Sequence, residues 1–204
     1  MAKTPNAPLG PASGKLGNIV YASWKGINYA RQYVIPANPQ TTSQTTVRST
    51  FANVTRLAQS LLGAILQPFW DPFVKKTSGY ADFLGRTMKA SPTFLDPTKV
   101  EITRGSLEPA LIASAVYASD TVTITWDGSV LSNGSPTDVP VCFVYDIVNK
   151  VGFATTVGER ADETADVTVG SGRSAINLQA YLGFVDSASA PTVVANSDHA
   201  QVTA

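Results

Sequence analysis

Pro36 and Pro39 stand between a stretch of strand periodicity and a stretch of helical periodicity, and they set the first constraint on this chain. Proline fixes its own φ, lacks a backbone donor and restricts the residue before it. Residues 34–39 (VIPANP) therefore predict an extended strap that neither a helix nor a ladder can cross. On the N-terminal side, 18–24 and 27–33 read as a β-hairpin around Lys25-Gly26, with glycine supplying the positive φ of a tight turn. Ile19, Tyr21, Trp24, Ile27, Tyr29 and Tyr33 make that hairpin aromatic and apolar. A lone hairpin is marginal in water, so this one needs support from the helices that follow or from another subunit. Residues 1–13, with three prolines and several small side chains, predict an irregular N-terminal arm.

Beyond the strap, Thr41-x-x-Gln44 has capping-box spacing. Val47, Phe51, Val54, Ala58, Leu61, Leu62 and Ile65 then recur at helical spacing, and Pro68 ends the run. Asp71-Pro72 restarts a helical turn, and a third helix is expected from Ser78 to about Lys89. At 91–97 the composition changes and the period becomes two. Short runs follow at 100–102, 111–117, 121–126, 139–148, 151–157, 166–169, 176–185 and 192–203, separated by Gly, Ser, Asn and Asp. The expected class is α+β. An arm (1–13) precedes a hairpin and helical docking module (14–90). A linker (91–97) then leads to an all-β immunoglobulin-like sandwich (98–204), with Trp126 and Tyr145 in its core.

The formal net charge of zero conceals an asymmetry. Residues 1–90 carry ten bases and two acids, +10 − 2 = +8; residues 91–204 carry five and thirteen, +5 − 13 = −8. The two halves either neutralise each other within a molecule or attract head to tail between copies. No segment reaches the roughly 18 apolar residues of a membrane span, and the N-terminus lacks the apolar core of a secretory signal.

Catalytic chemistry is poorly represented. His199 is the single histidine and lies in a polar stretch near the C-terminus, which argues against a triad or a multi-histidine metal site. Cys142 is the single cysteine, set in the apolar run VPVCFVY, where it packs as a small hydrophobe. The GPASGK run at 10–15 has the wrong glycine spacing and no Ser or Thr after its lysine for a phosphate loop. Glu159, Asp162, Glu163 and Asp166 lack the alternation and glycine turn of a calcium loop and read as a solvated acidic loop. No catalytic residue, cofactor site or metal site is expected. The candidate residues are instead protein-docking ones: Tyr21, Trp24, Tyr29, Arg31, Tyr33 and Arg48. Bases interleaved with these aromatics would also suit nucleic acid, but they are dispersed, which makes that the weaker reading.

Gly14, Lys15, Gly17 and Asn18, then Lys25, Gly26, Tyr29 and Arg31, then Pro36, Asn38, Pro39, Thr41, Gln44, Arg48 and Phe51 form an ordered signature. Trp70, Tyr80 and Phe83 extend it. This pattern, GKxGNxV…KGxxYxR…PxNPxTxxQxxxR, resembles that of a group of uncharacterised bacterial and phage-associated proteins with a C-terminal immunoglobulin-like domain. The resemblance implies a non-enzymatic, phage-derived particle or surface component. The expected role is a structural virion protein, such as a capsid-decorating or head-stabilising, head-tail or tail component, assembled in the host cytoplasm. Its partners would be other virion proteins or further copies of itself in a symmetric array, with no membrane. A carbohydrate- or protein-binding adhesion module is the alternative.

Overall fold

The computed structural model describes residues 2–3, 13–186 and 189–204. The chain divides into two compact units, Met1–Thr41 and Thr42–Ala204.

The first unit is a four-stranded antiparallel sheet rather than a lone hairpin. Its strands are Ala2–Lys3 (β1), Gly14–Leu16 (β2), Ile19–Trp24 (β3) and Ile27–Gln32 (β4), in the order β1-β4-β3-β2. Both tight turns have two central residues. Gly17 has φ +57° ahead of Asn18, and Lys25 and Gly26 have φ +49° and +78°. Such primed turns match the right-handed strand twist and set the register. The irregular arm expected at 1–13 falls mostly outside the described residues, but Ala2 and Lys3 are in a strand, paired with Ala30 and Tyr29. Residues 33–41 carry no regular secondary structure, consistent with the two prolines that interrupt both helix and ladder.

The second unit starts with a helix of Thr42–Leu61 (α1), which continues through a wide π turn, Leu62–Leu66, into Gln67–Phe69. In the wide turn the Gln67 N–H donates to the Leu62 carbonyl. The ladder is thus already loosened where Pro68 would clash with it. A short turn, Asp71–Phe73, and a second helix, Gly79–Ala90 (α2), follow; Ser78 caps α2 by accepting from the Ala81 amide at 3.3 Å.

Among the described residues, seven strands complete this unit: Ile112–Ala118 (β5), Thr121–Trp126 (β6), Val139–Asp146 (β7), Val151–Thr155 (β8), Thr164–Thr168 (β9), Leu178–Val185 (β10) and Asp198–Gln201 (β11). They form two antiparallel sheets, β11-β10-β7-β8 and β5-β6-β9. One core lies between the sheets and includes Val122, Ile124, Trp126, Cys142, Val144, Leu182 and Phe184. A second core covers the other face of the four-stranded sheet. There Leu57, Leu61, Ile65, Trp70 and Phe83 of the helical segment meet Val141, Phe143, Tyr145 and Tyr181. Trp70 clamps this layer: its ring packs edge-on against Phe83 with centroids 5.7 Å apart, and its Nε1–H donates to the Ile102 carbonyl at 2.7 Å.

The units therefore divide at Thr41, not at 91–97, and the helices share a unit with both of these sheets. The reason is visible in β7 and β10, every residue of which is buried or nearly so. A sheet apolar on both faces needs a layer on each side. Trp126 and Tyr145 are both buried, as expected, but in different cores. Val100 and Ile102 are buried in the helix-side core without forming a strand. The helical phase also differs from expectation at its start. Val47 and Phe51 are exposed, and Thr50, Val54, Leu57, Ala58 and Leu61 form the buried stripe.

Candidate functional site

The strand registers divide the N-terminal sheet into two faces, because directly paired antiparallel residues point the same way. Trp24 pairs with Ile27, Ala22 with Tyr29, and Val20 with both Arg31 and Lys15. Tyr33 continues this side, its amide donating to the Asn18 carbonyl at 2.7 Å. One face thus carries Lys15, Val20, Trp24, Ile27, Tyr29, Arg31 and Tyr33. The other carries Leu16, Ile19, Tyr21, Ala30 and Gln32 together with Ser23 and Asn28.

Four of the expected docking residues, Trp24, Tyr29, Arg31 and Tyr33, therefore share one face. Tyr21 lies on the opposite face, paired with Ala30 and Gly14. Arg48 is an α1 residue and belongs to the second unit. Lys15 belongs with the first group, its Nζ 3.7 Å from the centroid of the Tyr33 ring. The two-residue turns contained the signal for Lys15, since turn length fixes register and register fixes face.

No residue of 13–41 is buried. Trp24 is 64% exposed and Ile27 48%, with the Lys25 Nζ lying 4.9 Å from the Trp24 ring centroid. A concavity of about 520 Å³ is lined by Lys15, Val20, Arg31, Gln32, Tyr33 and Val34. Residues 1–41 contain Lys3, Lys15, Lys25 and Arg31 and no acid, a net charge of +4 − 0 = +4. The remaining eleven bases and fifteen acids give residues 42–204 a charge of +11 − 15 = −4. The half-chain asymmetry of the sequence is therefore smaller between the structural units, because Arg48, Arg56, Lys75, Lys76, Arg86 and Lys89 fold with the acidic part.

The second unit offers less. A groove of about 420 Å³ beside α2 is lined by Trp70, Arg86, Lys89, Lys99, Glu101 and Arg104 among others. Arg86 pairs with Asp82 at 2.6 Å and Lys99 with Asp96 at 3.3 Å, so much of that positive charge is already met. Cys142 is buried, and burial pushes its thiol up to about 12. His199 is half-buried on β11, its Nε2 2.7 Å from Gln179 Oε1, and burial lowers its pKa. Among the described residues, no group of three or more His, Cys, Asp or Glu side chains is placed to hold a metal ion, and no helix is long and apolar enough to cross a membrane.

Residues 11–200 match a family described as a family of unknown function, DUF6266. The chain belongs to the DUF6266 family. The match takes in residues of both units, from the second strand of the N-terminal sheet through nearly all of the second unit. No curated protein and no solved structure matches this DUF6266 chain.

Proposed function

We propose that this DUF6266 protein is a non-enzymatic structural component of a multi-copy assembly, a phage virion in the reading the motif suggests, and that its N-terminal sheet is the attachment surface. The observation that carries this reading is a four-stranded sheet in which no residue of 13–41 is buried, and whose one face gathers Trp24, Ile27, Tyr29 and Tyr33 with Lys15 and Arg31. Exposed aromatic and arginine side chains on ordered strands are the usual anchors of protein contacts. Apolar patches of this kind mark interaction sites in soluble proteins. In an array, many such contacts act together, so each needs only modest energy.

The seven strands of the second unit fit an immunoglobulin-like sandwich within this proposal. The first, second and fifth of them share one sheet, and the third, fourth, sixth and seventh share the other. The test is cosedimentation of the chain with assembled particles, comparing the full chain with one lacking residues 1–41 and with Trp24→Ser/Tyr29→Ser. Loss of incorporation in both variants is expected; undiminished incorporation would overturn the attachment role.

A second reading, as an adhesion module, draws on the outer face of β6 and β9. Thr121, Thr123 and Thr125 there pair with Thr168, Asp166 and Thr164, a hydroxyl-rich surface suited to sugar hydroxyls. Specific capture on a glycan array, lost in Thr123→Val, would favour it.

A further inference from the structure

The acid-free sheet has a counterpart in the second unit. Residues 159–163 form a short acidic knob around the turn Arg160–Asp162. Arg160 points inward and is fully buried, while Glu159, Asp162 and Glu163 remain exposed. The knob is stiffly held. Glu159 and Asp162 cap each other, the Arg160 and Ala161 amides donate to the Asp138 and Pro136 carbonyls at 2.7 and 3.0 Å, and the Trp126 Nε1–H donates to the Arg160 carbonyl at 2.9 Å. None of the three exposed carboxylates belongs to an ion pair among the described residues.

The concavity on the sheet has the matching chemistry. Lys15 and Arg31 flank Val20 on neighbouring strands, so their backbones stand about 10 Å apart, two strand spacings. A carboxylate entering between them is within reach of both cations, and Tyr33 walls the site. With no acid in residues 1–41, these cations have no carboxylate partner within their own unit.

We propose that the sheet of one copy receives the knob of a second copy, with Lys15 and Arg31 binding Glu159 and Glu163. This rests on the attachment reading above and names its partner as another molecule of the same chain. Sheet and knob are different surfaces, so the contact is head-to-tail: it closes into a ring or propagates as a filament, according to the rotation between copies. A rigid knob and a sheet already in register lose little freedom on docking.

The experiment measures the mass of the full-length chain by analytical ultracentrifugation over a concentration series. Three proteins are compared: wild type, Lys15→Glu/Arg31→Glu, and Glu159→Lys/Glu163→Lys. Wild type is expected to associate, with affinity falling about tenfold or more between roughly 0.05 and 0.5 M NaCl as screening shortens. Each variant alone is expected to stay monomeric, and an equal mixture of the two to associate again, since each reversed surface then meets a complementary one.

A wild type that is monomeric at low salt, variants that associate as wild type does, or a mixture that stays monomeric would each overturn the self-docking proposal. Cosedimentation with particles then separates the two claims. If Lys15→Glu/Arg31→Glu no longer joins particles although wild type never self-associates, the attachment surface stands and its partner is another protein. If the variant joins undiminished, the attachment reading falls as well.

Discussion

Arg160 and Asp138 form an ion pair from which water is almost excluded: Nε lies 3.3 Å from Oδ2, with 0% and 4% of the two side chains accessible. The guanidinium also donates from Nη2 to the Glu108 carbonyl at 2.5 Å and stacks 4.0 Å from the Phe184 ring centroid. Nε and Nη1 make no hydrogen bond among the described residues, so the attraction to Asp138 is largely coulombic. Removing one partner of a buried pair strands the other charge, which costs about 3–5 kcal/mol. Asp138→Ala is therefore expected to lose about that much in urea unfolding. The double variant Asp138→Ala/Arg160→Met should recover part of the loss, because no buried charge is left unpaired. A double variant no better than the single one would show that Arg160 acts through packing instead.

Asp146 is one of the carboxylates that shape the acid end of the stability profile, with Asp96, Glu108, Asp127 and Asp186 lowered in the same direction. Burial raises its carboxyl, but hydrogen bonds from the Asn149 side chain and amide, from Arg173 and from the Val148 amide outweigh burial and leave the pKa below its ordinary 3.8. A carboxylate depressed in the folded state contributes stability that is complete above its unfolded pKa and is lost as pH falls through the folded one. Wild type should thus lose stability below about pH 4. Asp146→Asn should start less stable at pH 7 and show a shallower decline over the same acid range. Thermal melts from pH 7 down to 2 read both slopes, and parallel curves would refute the assignment.

Two glycines are expected to respond to alanine with opposite signs. A Cβ on Gly105 would lie 2.7 Å from the Val194 carbonyl carbon, which is held by the bridge between Leu107 and Ala195. Backbone cannot yield as a side chain can, so Gly105→Ala should destabilise by about 1–3 kcal/mol. Gly85 is an exposed position inside α2 with nothing within 4 Å of its Cβ, and Gly85→Ala should stabilise by about 0.5–1 kcal/mol. Denaturant midpoints at constant slope decide both.

Residues 42–204 contain both apolar cores, whereas 13–41 contain no buried residue. Deleting residues 1–41 should therefore leave a cooperatively folding protein whose melting temperature stays within about 3 °C of the full chain, a shift worth less than 1 kcal/mol. A broad or non-cooperative melt would show that the sheet contributes to the fold of the second unit.

Cys142 is expected to resist thiol reagents until the protein unfolds, because burial holds its thiol protonated and inaccessible. The rate of modification in rising urea should track the unfolding transition. Rapid reaction of native protein would contradict the buried position.

Much of the fold was legible residue by residue. Lys25-Gly26 identified its hairpin, the prolines identified the strap, and Ser78 marked the start of the second helix. The run 121–126 and the pair 139–148 and 151–157 located β6, β7 and β8 to within a few residues. Less legible was the candidate site. Alternation and turn length place Lys15, Trp24, Tyr29, Arg31 and Tyr33 on one face and Tyr21 on the other, yet an aromatic census groups Tyr21 with the rest. Arg48 follows the motif but sits on a helix of the second unit.

Sequence alone determined what is local. Turn residues set φ, a period of two or of 3.6 sets strand or helix, and a proline stops both, because each depends on neighbours a few positions away. Tertiary structure decided which surfaces are covered. It laid the helices on β7 and β10, exposed Val47 and Phe51 while burying Thr50, and drew Arg160 of an acidic run inside against Asp138. Those outcomes depend on contacts between residues far apart in the chain, such as Trp70 with Ile102 and Arg160 with Glu108, and no periodicity within a segment encodes its partner.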